Sequence, residues 1–455
     1  MPNVALQTSQ RPTRVRFRVL LFLCVLSFLT YYDRVCIVRA QETIQSSLRI
    51  DGEQMGIIFG AFWFAYAIFE IPGGWIGDRR GARFTLTRIV LAWSLFTALT
   101  GTATGFYSLV FYRFLFGVGE AGAYPNMARI QSRWLPTVER ARTAGLLWLT
   151  ARFGAAFAPV IFGSLTRTIE TWQPILSGSL GLDWLATIPS WRLGFFISGL
   201  LGVAWCLAFY PWFRDEPAEK ASVNQSERAY IEAGRGQIVS SHRASANVWA
   251  RLFSSVSLWA IGLYYISGSF GWSFFVSWMP KYMKDVQGVT FDKSEWSSAL
   301  PFVAGGIACL VGGVCSDFMV NRTGRLRFGR AVFPVGGCMA AAAAMLAMPY
   351  AHTAREATLL MCIASFAFDL GQAANIASVV DIGGRNAGIA MGFINTLGCM
   401  GNAIQPYIGK KIALVFGWDA LFCVYAATFL LASTMWAFIN PTRTFYHDAT
   451  IVDSM

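Results

Sequence analysis

Seven ionisable residues lie within long apolar stretches of this 455-residue chain. Because a charged group inside the hydrocarbon of a membrane is costly, each of them is a candidate functional residue. Their carboxylates can take up and release protons, and their arginines can bind an anion through charged hydrogen bonds. All three histidines lie outside these stretches, so a proton relay there must use carboxylates. The seven residues are Asp33, Arg34, Glu70, Arg113, Glu120, Arg152 and Asp369.

Helical spacing limits which of these side chains can meet. Asp33 and Arg34 are about 100° apart on a helix, so each can meet a different partner. Alternatively, they form a local pair that ends the helix at the outer membrane surface. Arg113 and Glu120 lie about 10 Å apart along one helix face, too far to pair directly. Each then faces a ligand or neutralises a partner on another helix.

Arg152 lies deep in an apolar stretch and needs an anionic partner. The candidates are Glu120 and an anionic substrate. Neutral amides follow Asp369 in the next two stretches, where they form either a polyol-binding wall or hydrogen bonds between helices. Charges in the first half and amides in the second suit a substrate with a carboxylate at one end and hydroxyls along its length. The amides are Gln372, Asn375, Asn395, Asn402 and Gln405.

Composition indicates the elements that position these residues. The chain is 55% hydrophobic and only 14% charged, with a mean hydropathy of +0.47. A soluble protein carries about 25% charged residues. Apolar stretches near the length that crosses a bilayer recur along the chain, which predicts an all-α membrane protein with twelve transmembrane helices. The predicted spans are 18–41, 54–77, 84–104, 106–128, 143–165, 191–213, 255–279, 296–320, 330–350, 356–380, 387–413 and 417–439.

The net charge of +12 is explained by membrane topology rather than by nucleic-acid binding. Arginine clusters fall on one side of the predicted spans, which places both termini in the cytoplasm. The chain then divides into two pseudo-symmetric six-helix bundles with a linker between them. The predicted parts are a cytoplasmic tail (1–17), an N-terminal bundle (18–213), a cytoplasmic linker (214–254), a C-terminal bundle (255–439) and a second cytoplasmic tail (440–455).

A charged turn after the second span has a weaker copy about half the chain later. The first reads Gly74-x-x-x-Asp78-Arg79-x-Gly81-x-Arg83, and the copy includes Asp317. This pattern resembles the signature of the major facilitator superfamily, which implies two related six-helix halves that rock around a midplane site. In that arrangement these six residues are gate residues, and the Asp78 carboxylate can meet a cation or the N-terminus of a facing helix.

Other segments resemble one branch of that family, the anion:cation symporters. They are Tyr31-Tyr32-Asp33-Arg34, Phe64-Ala65-Tyr66 to Gly74, Arg113-Phe114-x-x-Gly117-x-x-Glu120 and, in a bacterial subset, Asp381 to Gly388. The branch includes bacterial hexuronate, glucarate and galactonate carriers.

The resemblance implies roles for single residues. Asp33 and Glu120 are implied to be proton sites, and Arg34 and Tyr66 to bind the substrate carboxylate. Tyr31 and Asn395 fall at positions that contact substrate in relatives. Arg152 and Glu70 depart from the branch, because many sugar-acid carriers have Gln there.

We therefore predict a proton-coupled symporter of an organic monoanion, a sugar acid first of all, working by alternating access. Protonation of Glu120 releases a cation, either Arg152 or Arg113, to meet the substrate. Arg152, Gln372 and Asn375 complete the predicted substrate site, and Arg113, Glu70 and Asp369 its charge network.

The expected setting is a bacterial inner membrane, with the chain as a monomer that needs no cofactor or metal and catalyses no reaction. A Na⁺-coupled carrier, an anion exchanger and a substrate sensor without transport remain alternatives.

Overall fold

The computed structural model describes residues 11–181, 183–234, 248–288 and 295–445, and within these ranges its regular structure is entirely helical. The outer parts of both predicted tails and the middle of the linker lie outside the described residues. The α-helices are α1 (Val15–Leu48), α2 (Gly52–Arg80), α3 (Ala82–Thr100), α4 (Phe106–Glu120), α5 (Ala123–Trp134), α6 (Arg140–Leu180), α7 (Asp183–Ala186), α8 (Ser190–Trp212), α9 (Gln225–Gly234), α10 (Val248–Ser254), α11 (Val256–Ser277), α12 (Met279–Asp285), α13 (Glu295–Thr323), α14 (Leu326–Ala347), α15 (Ala354–Leu370), α16 (Gln372–Gly383) and α17 (Ala387–Met435).

Ten helical segments in the described part of the chain are long and apolar enough to cross a membrane. Two of the twelve predicted spans fall outside these ten. The span predicted at 106–128 is divided between α4 and α5, and the one at 255–279 corresponds to α11, a helix of 22 residues. The last two predicted spans are the two helical segments of α17, which meet at a kink at Gly417, where φ is 83°.

Each half has a helical run divided at the corresponding place, but only the one in the N-terminal half is broken, because Gly371 keeps a right-handed helical backbone (φ −82°, ψ −19°). Helices α4 and α5 are separated at Gly122, and α15 and α16 at Gly371. Gly122 has a φ of 90°, and a Cβ there would lie 2.7 Å from the Cα of Gly73, so both the backbone angle and the space require glycine. Broken helices expose backbone groups near the middle of a membrane, where transporters bind ligands.

Two groups of helices pack into halves that meet along two seams. The N-terminal half comprises α1–α6 and α8, and the C-terminal half α11 and α13–α17. Across the seams, α6 packs on α13 and α2 packs on α17. A Cβ at Gly145 of α6 would lie 2.3 Å from the carbonyl oxygen of Cys309 in α13. Small residues therefore let the two halves approach to backbone contact, which is how helices associate in lipid.

The described part of the linker is attached to the N-terminal half. Glu227 of α9 is fully buried and accepts a 3.0 Å hydrogen bond from Nη1 of Arg16. Nε of Arg16 donates at 3.0 Å to Glu139, at the start of the segment leading into α6. The linker helix, α1 and α6 are therefore held together by one buried charge cluster.

Candidate functional site

The centre of the N-terminal half contains a buried ion pair between α1 and α4. Nε of Arg34 donates to both carboxylate oxygens of Glu120, each at 3.0 Å, and the Glu120 side chain is completely buried. The direct partner of Glu120 is therefore Arg34 and not Arg152, whereas Arg113 interacts with Glu120 only electrostatically. Arg152 instead faces α13, since a Cβ at Gly306 would lie 3.2 Å from its own Cβ.

Aromatic rings surround the Arg34 guanidinium. Its Cζ lies 4.5 Å from the ring centre of Tyr66, 5.0 Å from Tyr31, 5.4 Å from Phe62 and 5.5 Å from Trp63. Rings attract a cation through their π faces and exclude water from it. Its Nη2 is buried and has no hydrogen-bond partner among the described residues. Arg34 can therefore bind a second anion in addition to Glu120.

Asp33 lies on the neighbouring face of α1 and does not pair with Arg34. It is 2% exposed, and its Oδ1 has no hydrogen-bond partner in the described ranges. The interpretation of these two residues as a local pair that ends the helix is wrong, because α1 continues to Leu48. Arg113 interacts electrostatically with both Asp33 and Glu120 and packs 4.4 Å from the ring centre of Phe116. The carboxylates of Asp33 and Glu120 are therefore both affected by the charge of Arg113.

Glu70 connects three elements. Its Oε1 accepts hydrogen bonds from the Tyr66 hydroxyl at 3.0 Å and from Nδ2 of Asn395 at 2.8 Å. Its Oε2 accepts one from the backbone N–H of Gly122 at 2.7 Å, at the break between α4 and α5. Because Asn395 belongs to α17, Glu70 joins the two halves at the level of the broken helix. The sequence pattern did not indicate this bridge.

A second buried ion pair joins the halves directly. Nη2 of Arg152 in α6 donates to both carboxylate oxygens of Asp369 in α15, each at 2.9 Å. The Arg152 guanidinium lies 4.2 Å from the ring centre of Trp272 and 5.8 Å from that of Trp148. Its Nε is buried without a hydrogen-bond partner among the described residues. The protein partner of Arg152 is therefore Asp369, on the other half.

The amides of the C-terminal half mostly form contacts between helices. Oδ1 of Asn375 accepts a 3.0 Å hydrogen bond from Nε1 of Trp436, and Nε2 of Gln405 donates at 2.5 Å to the Tyr425 hydroxyl. For these two amides the structure favours hydrogen bonds between helices over a polyol-binding wall. Gln372 lies at the start of α16 and is 8% exposed. Its contact with substrate stays a prediction.

At one end of the molecule, each charged turn meets the first turn of a helix from the other half. Asp78 accepts hydrogen bonds from Nη1 of Arg129 at 3.2 Å and from the backbone N–H of Ile389, at the start of α17, at 2.9 Å. Asp317 accepts from the backbone N–H groups of Ala141 and Arg142, at the start of α6, at 3.2 and 2.7 Å. Both contacts place a carboxylate at the positive end of a helix dipole. We call this region the Asp78 end.

A third contact at the Asp78 end was missed by sequence reasoning. Asp381 lies 2.5 Å from Nη1 of Arg140 and 3.5 Å from Nε of Arg330, and Arg330 also pairs with Asp317 at 2.7 Å. The resemblance had singled out residues 381–388 without giving them a role. Three carboxylates therefore hold the halves together at this end.

The other predicted gate residues shape the turn itself. A Cβ at Gly74 would lie 2.3 Å from the carbonyl oxygen of Gly388, and Gly81 has a φ of 89°. Arg79 packs 4.2 Å from the ring centre of Trp75, and Nε of Arg83 donates to the carbonyl oxygen of Tyr210 at 2.8 Å. Gly74 permits the close approach of the halves and Gly81 permits the turn next to Asp215, whereas the two arginines pack within the N-terminal half.

Asp78→Asn is expected to loosen the Asp78 end, because it removes the charge that pairs with Arg129 and faces the α17 terminus. Such contacts contribute about 1–3 kcal/mol. The test uses a variant without native cysteines that carries a single cysteine at the buried position Met391. We expect a thiol reagent to label this cysteine severalfold faster when Asp78→Asn is present than when it is absent. Asp51→Asn removes the charge of another helix-capping carboxylate, at the far end of α2, and is the matched control. Equal labelling in both variants would show that Asp78 does not hold this end closed.

Comparison with known proteins identifies the fold. Residues 23–406 match the sequence model of the Major Facilitator Superfamily. The chain belongs to this superfamily. Its fold agrees with that of the proton:xylose symporter XylE bound to 6-bromo-6-deoxy-D-glucose, with a TM-score of 0.70 at 15% identity over 94% of this chain and 96% of that one.

Among curated proteins, this superfamily member is similar to bacterial carriers of organic anions. It is 29% identical to the probable sulfoacetate transporter SauU of Cupriavidus necator over 95% of both chains. It is 30% identical to the probable galactarate/D-glucarate transporter GudP of Bacillus subtilis, over 88% of this chain and 86% of that one. The resemblance to bacterial sugar-acid carriers is thereby confirmed, and the protein is a multi-pass membrane transporter rather than an enzyme.

Proposed function

We propose that this transporter carries a small organic anion, such as a sugar acid, together with protons by alternating access. The observation that carries the proposal is the Arg34–Glu120 pair. It combines a proton acceptor with an anion-binding cation that keeps one buried donor, Nη2, without a hydrogen-bond partner in the described residues. The names of the sulfoacetate and glucarate relatives support an anionic cargo.

Coupling follows from competition for Arg34. While Glu120 is ionised, its charge attracts Arg34 and weakens the field that the guanidinium presents to a substrate carboxylate. A proton on Glu120 removes that charge, so the substrate carboxylate becomes the main anionic partner of Arg34. Asp33 and Arg113 act on the same pair, because Arg113 interacts electrostatically with both carboxylates. Protonation of Glu120 therefore strengthens substrate binding, and substrate binding strengthens protonation of Glu120.

Glu70 transmits this change to the seam between the halves. The Tyr66 ring packs against Arg34, and its hydroxyl donates to Glu70, which also accepts from Asn395 of the C-terminal half. A substrate that moves Arg34 therefore disturbs a bond across the seam. The contacts of Asp78, Asp317 and Asp381 then open while the opposite end closes.

The membrane arrangement is part of the proposal. We place twelve spans in a bacterial inner membrane, with the Asp78 end and both termini in the cytoplasm and the chain acting as a monomer. In this orientation the contacts at the Asp78 end close the cytoplasmic side, so substrate and protons enter from outside.

Uptake into proteoliposomes tests the function directly. With the outside more acidic, the full-length protein is expected to accumulate galactonate or glucarate above the external concentration, and a protonophore should abolish this. Replacing Na⁺ with choline should change nothing. Accumulation that follows Na⁺ or preloaded substrate instead of the pH gradient would contradict proton coupling. Binding without uptake under any gradient would indicate a sensor.

A further inference from the structure

Arg34 and Arg152 have the same local design. Each guanidinium uses a single nitrogen to reach both oxygens of one carboxylate, Nε for Arg34 and Nη2 for Arg152. Each keeps a second, buried nitrogen without a hydrogen-bond partner in the described ranges, Nη2 and Nε respectively. A buried donor without a partner is costly, so next to an aromatic wall it is a candidate position for a ligand acceptor.

A chain of aromatic contacts connects the two arginines. The phenol of Tyr31 interacts electrostatically with Arg34 and with Arg152. The Tyr31 ring lies 5.0 Å from the Arg34 guanidinium and 6.1 Å from the ring of Trp148, which in turn lies 5.8 Å from the Arg152 guanidinium. One aromatic wall therefore runs from the first cation to the second.

The C-terminal half contributes further donors around this wall. The hydroxyl of Tyr265 and the indole N–H of Trp272, both on α11, are buried without hydrogen-bond partners among the described residues. Trp272 packs on Arg152, with the guanidinium 4.2 Å from its ring centre. The indole N–H of Trp148 is also buried and without a partner in that part of the chain. These groups suit a ligand with acceptors along its length and at both ends.

We propose that the preferred substrate is a small dianion with one acidic group at each end. One group binds Arg34 and the other binds Arg152. This inference rests on the proposed function and revises the monoanion expected from the sequence. A monoanion leaves the buried donor of Arg152 without a partner, whereas a dianion satisfies both arginines.

Charge balance gives Asp369 a function in this binding mode. The seven ionisable residues of the core comprise four carboxylates and three arginines, so the core is already one negative charge in excess when all are ionised. A dianion adds one more negative charge than a monoanion, and a buried excess of charge is unfavourable. A proton taken from the outer water by the Asp369 carboxylate cancels that charge and frees Arg152 for the second acidic group.

Matched sugar acids test the proposal. D-glucarate and D-gluconate share a six-carbon chain, but gluconate has a hydroxymethyl group in place of the second carboxylate. We expect the purified full-length protein to bind glucarate about tenfold more tightly or better, as charged hydrogen bonds to a second arginine predict. A second pair, sulfoacetate against acetate, applies the same test to a two-carbon dianion. Equal affinities within both pairs would overturn the proposal.

Arg152→Gln is expected to weaken binding of the dianion and to leave the monoanion nearly unchanged, so that the preference falls towards one. Arg140→Gln removes another buried ion pair between the halves, with Asp381, and is the matched control. Arg140→Gln should change the affinities for the dianion and the monoanion by the same factor. If Arg152→Gln also changes the affinities for both ligands by the same factor, Arg152 only bridges the halves and the proposal fails. Arg152→Lys replaces it if the glutamine variant does not fold.

The two proposals fail in different ways. Proton-driven uptake of gluconate and glucarate at equal affinity would retain the proposed function and overturn the dianion preference. Absence of uptake for all four anions would overturn both.

Discussion

Glu120→Gln is expected to reduce uphill uptake to the level of protein-free liposomes while substrate exchange continues. Glutamine keeps the shape of the side chain but cannot take up or release a proton, so Arg34 stays available to the substrate in every step. Proton and substrate are then no longer linked. The measurement is accumulation of labelled substrate under an imposed pH gradient, together with counterflow in preloaded liposomes.

The same substitution leaves Arg34 without its ionised partner in a buried position. Breaking a buried pair costs about 3–5 kcal/mol, so a lower thermal stability is expected in the absence of substrate. Glu139→Gln provides the matched control, because Glu139 forms a buried pair with Arg16 at a distance from the site. It should lower stability without uncoupling transport. Proton-driven accumulation that survives Glu120→Gln would remove Glu120 from the proton pathway.

Arg34→Lys is expected to weaken substrate binding by about thirtyfold or more. A lysine keeps the charge but loses the planar fork that spans a carboxylate and stacks between rings. Removing one partner of a buried charged hydrogen bond costs about 2–5 kcal/mol, and each 1.4 kcal/mol is tenfold in affinity. The affinity is measured by titration calorimetry with the same sugar acids.

Arg16→Lys is the matched control for this substitution. Arg16 is also buried and also forks between carboxylates, those of Glu139 and Glu227, but it lies outside the site. Its replacement should reduce stability and leave affinity within about twofold, since the sites are distant enough for their effects to be independent. If Arg34→Lys keeps normal affinity, the substrate anion binds elsewhere and Arg34 only neutralises Glu120.

Much of the helical architecture could be predicted from the sequence, because hydrophobic length and glycine position are local properties. The boundary expected between 413 and 417 falls at Gly417, where the backbone turns. The residues of the buried charge set could also be predicted, because a membrane tolerates few ionisable groups. Of the seven, Asp33, Glu70, Arg113, Glu120 and Asp369 are at most 2% exposed.

Pairing within that set could not be predicted. It depends on the rotation of each helix about its axis, which is set by packing against neighbours far away in the sequence. Glu120 and an anionic substrate were the two partners expected for Arg152, yet α6 turns it towards α13 and α15, where Asp369 lies. The sequence likewise did not indicate that Glu70 accepts hydrogen bonds from Asn395 and from a backbone N–H at a helix break. Composition identifies the charges, and tertiary packing decides which of them compete for a substrate.

One measurement tests the coupling most directly. Full-length protein is reconstituted into liposomes that contain a pH-sensitive dye, with equal pH on both sides and no membrane potential. Adding glucarate outside is expected to acidify the lumen, because each substrate that enters through the Arg34–Glu120 site carries protons with it, and Glu120→Gln should abolish the signal. Uptake of labelled glucarate at a constant lumenal pH would contradict the account.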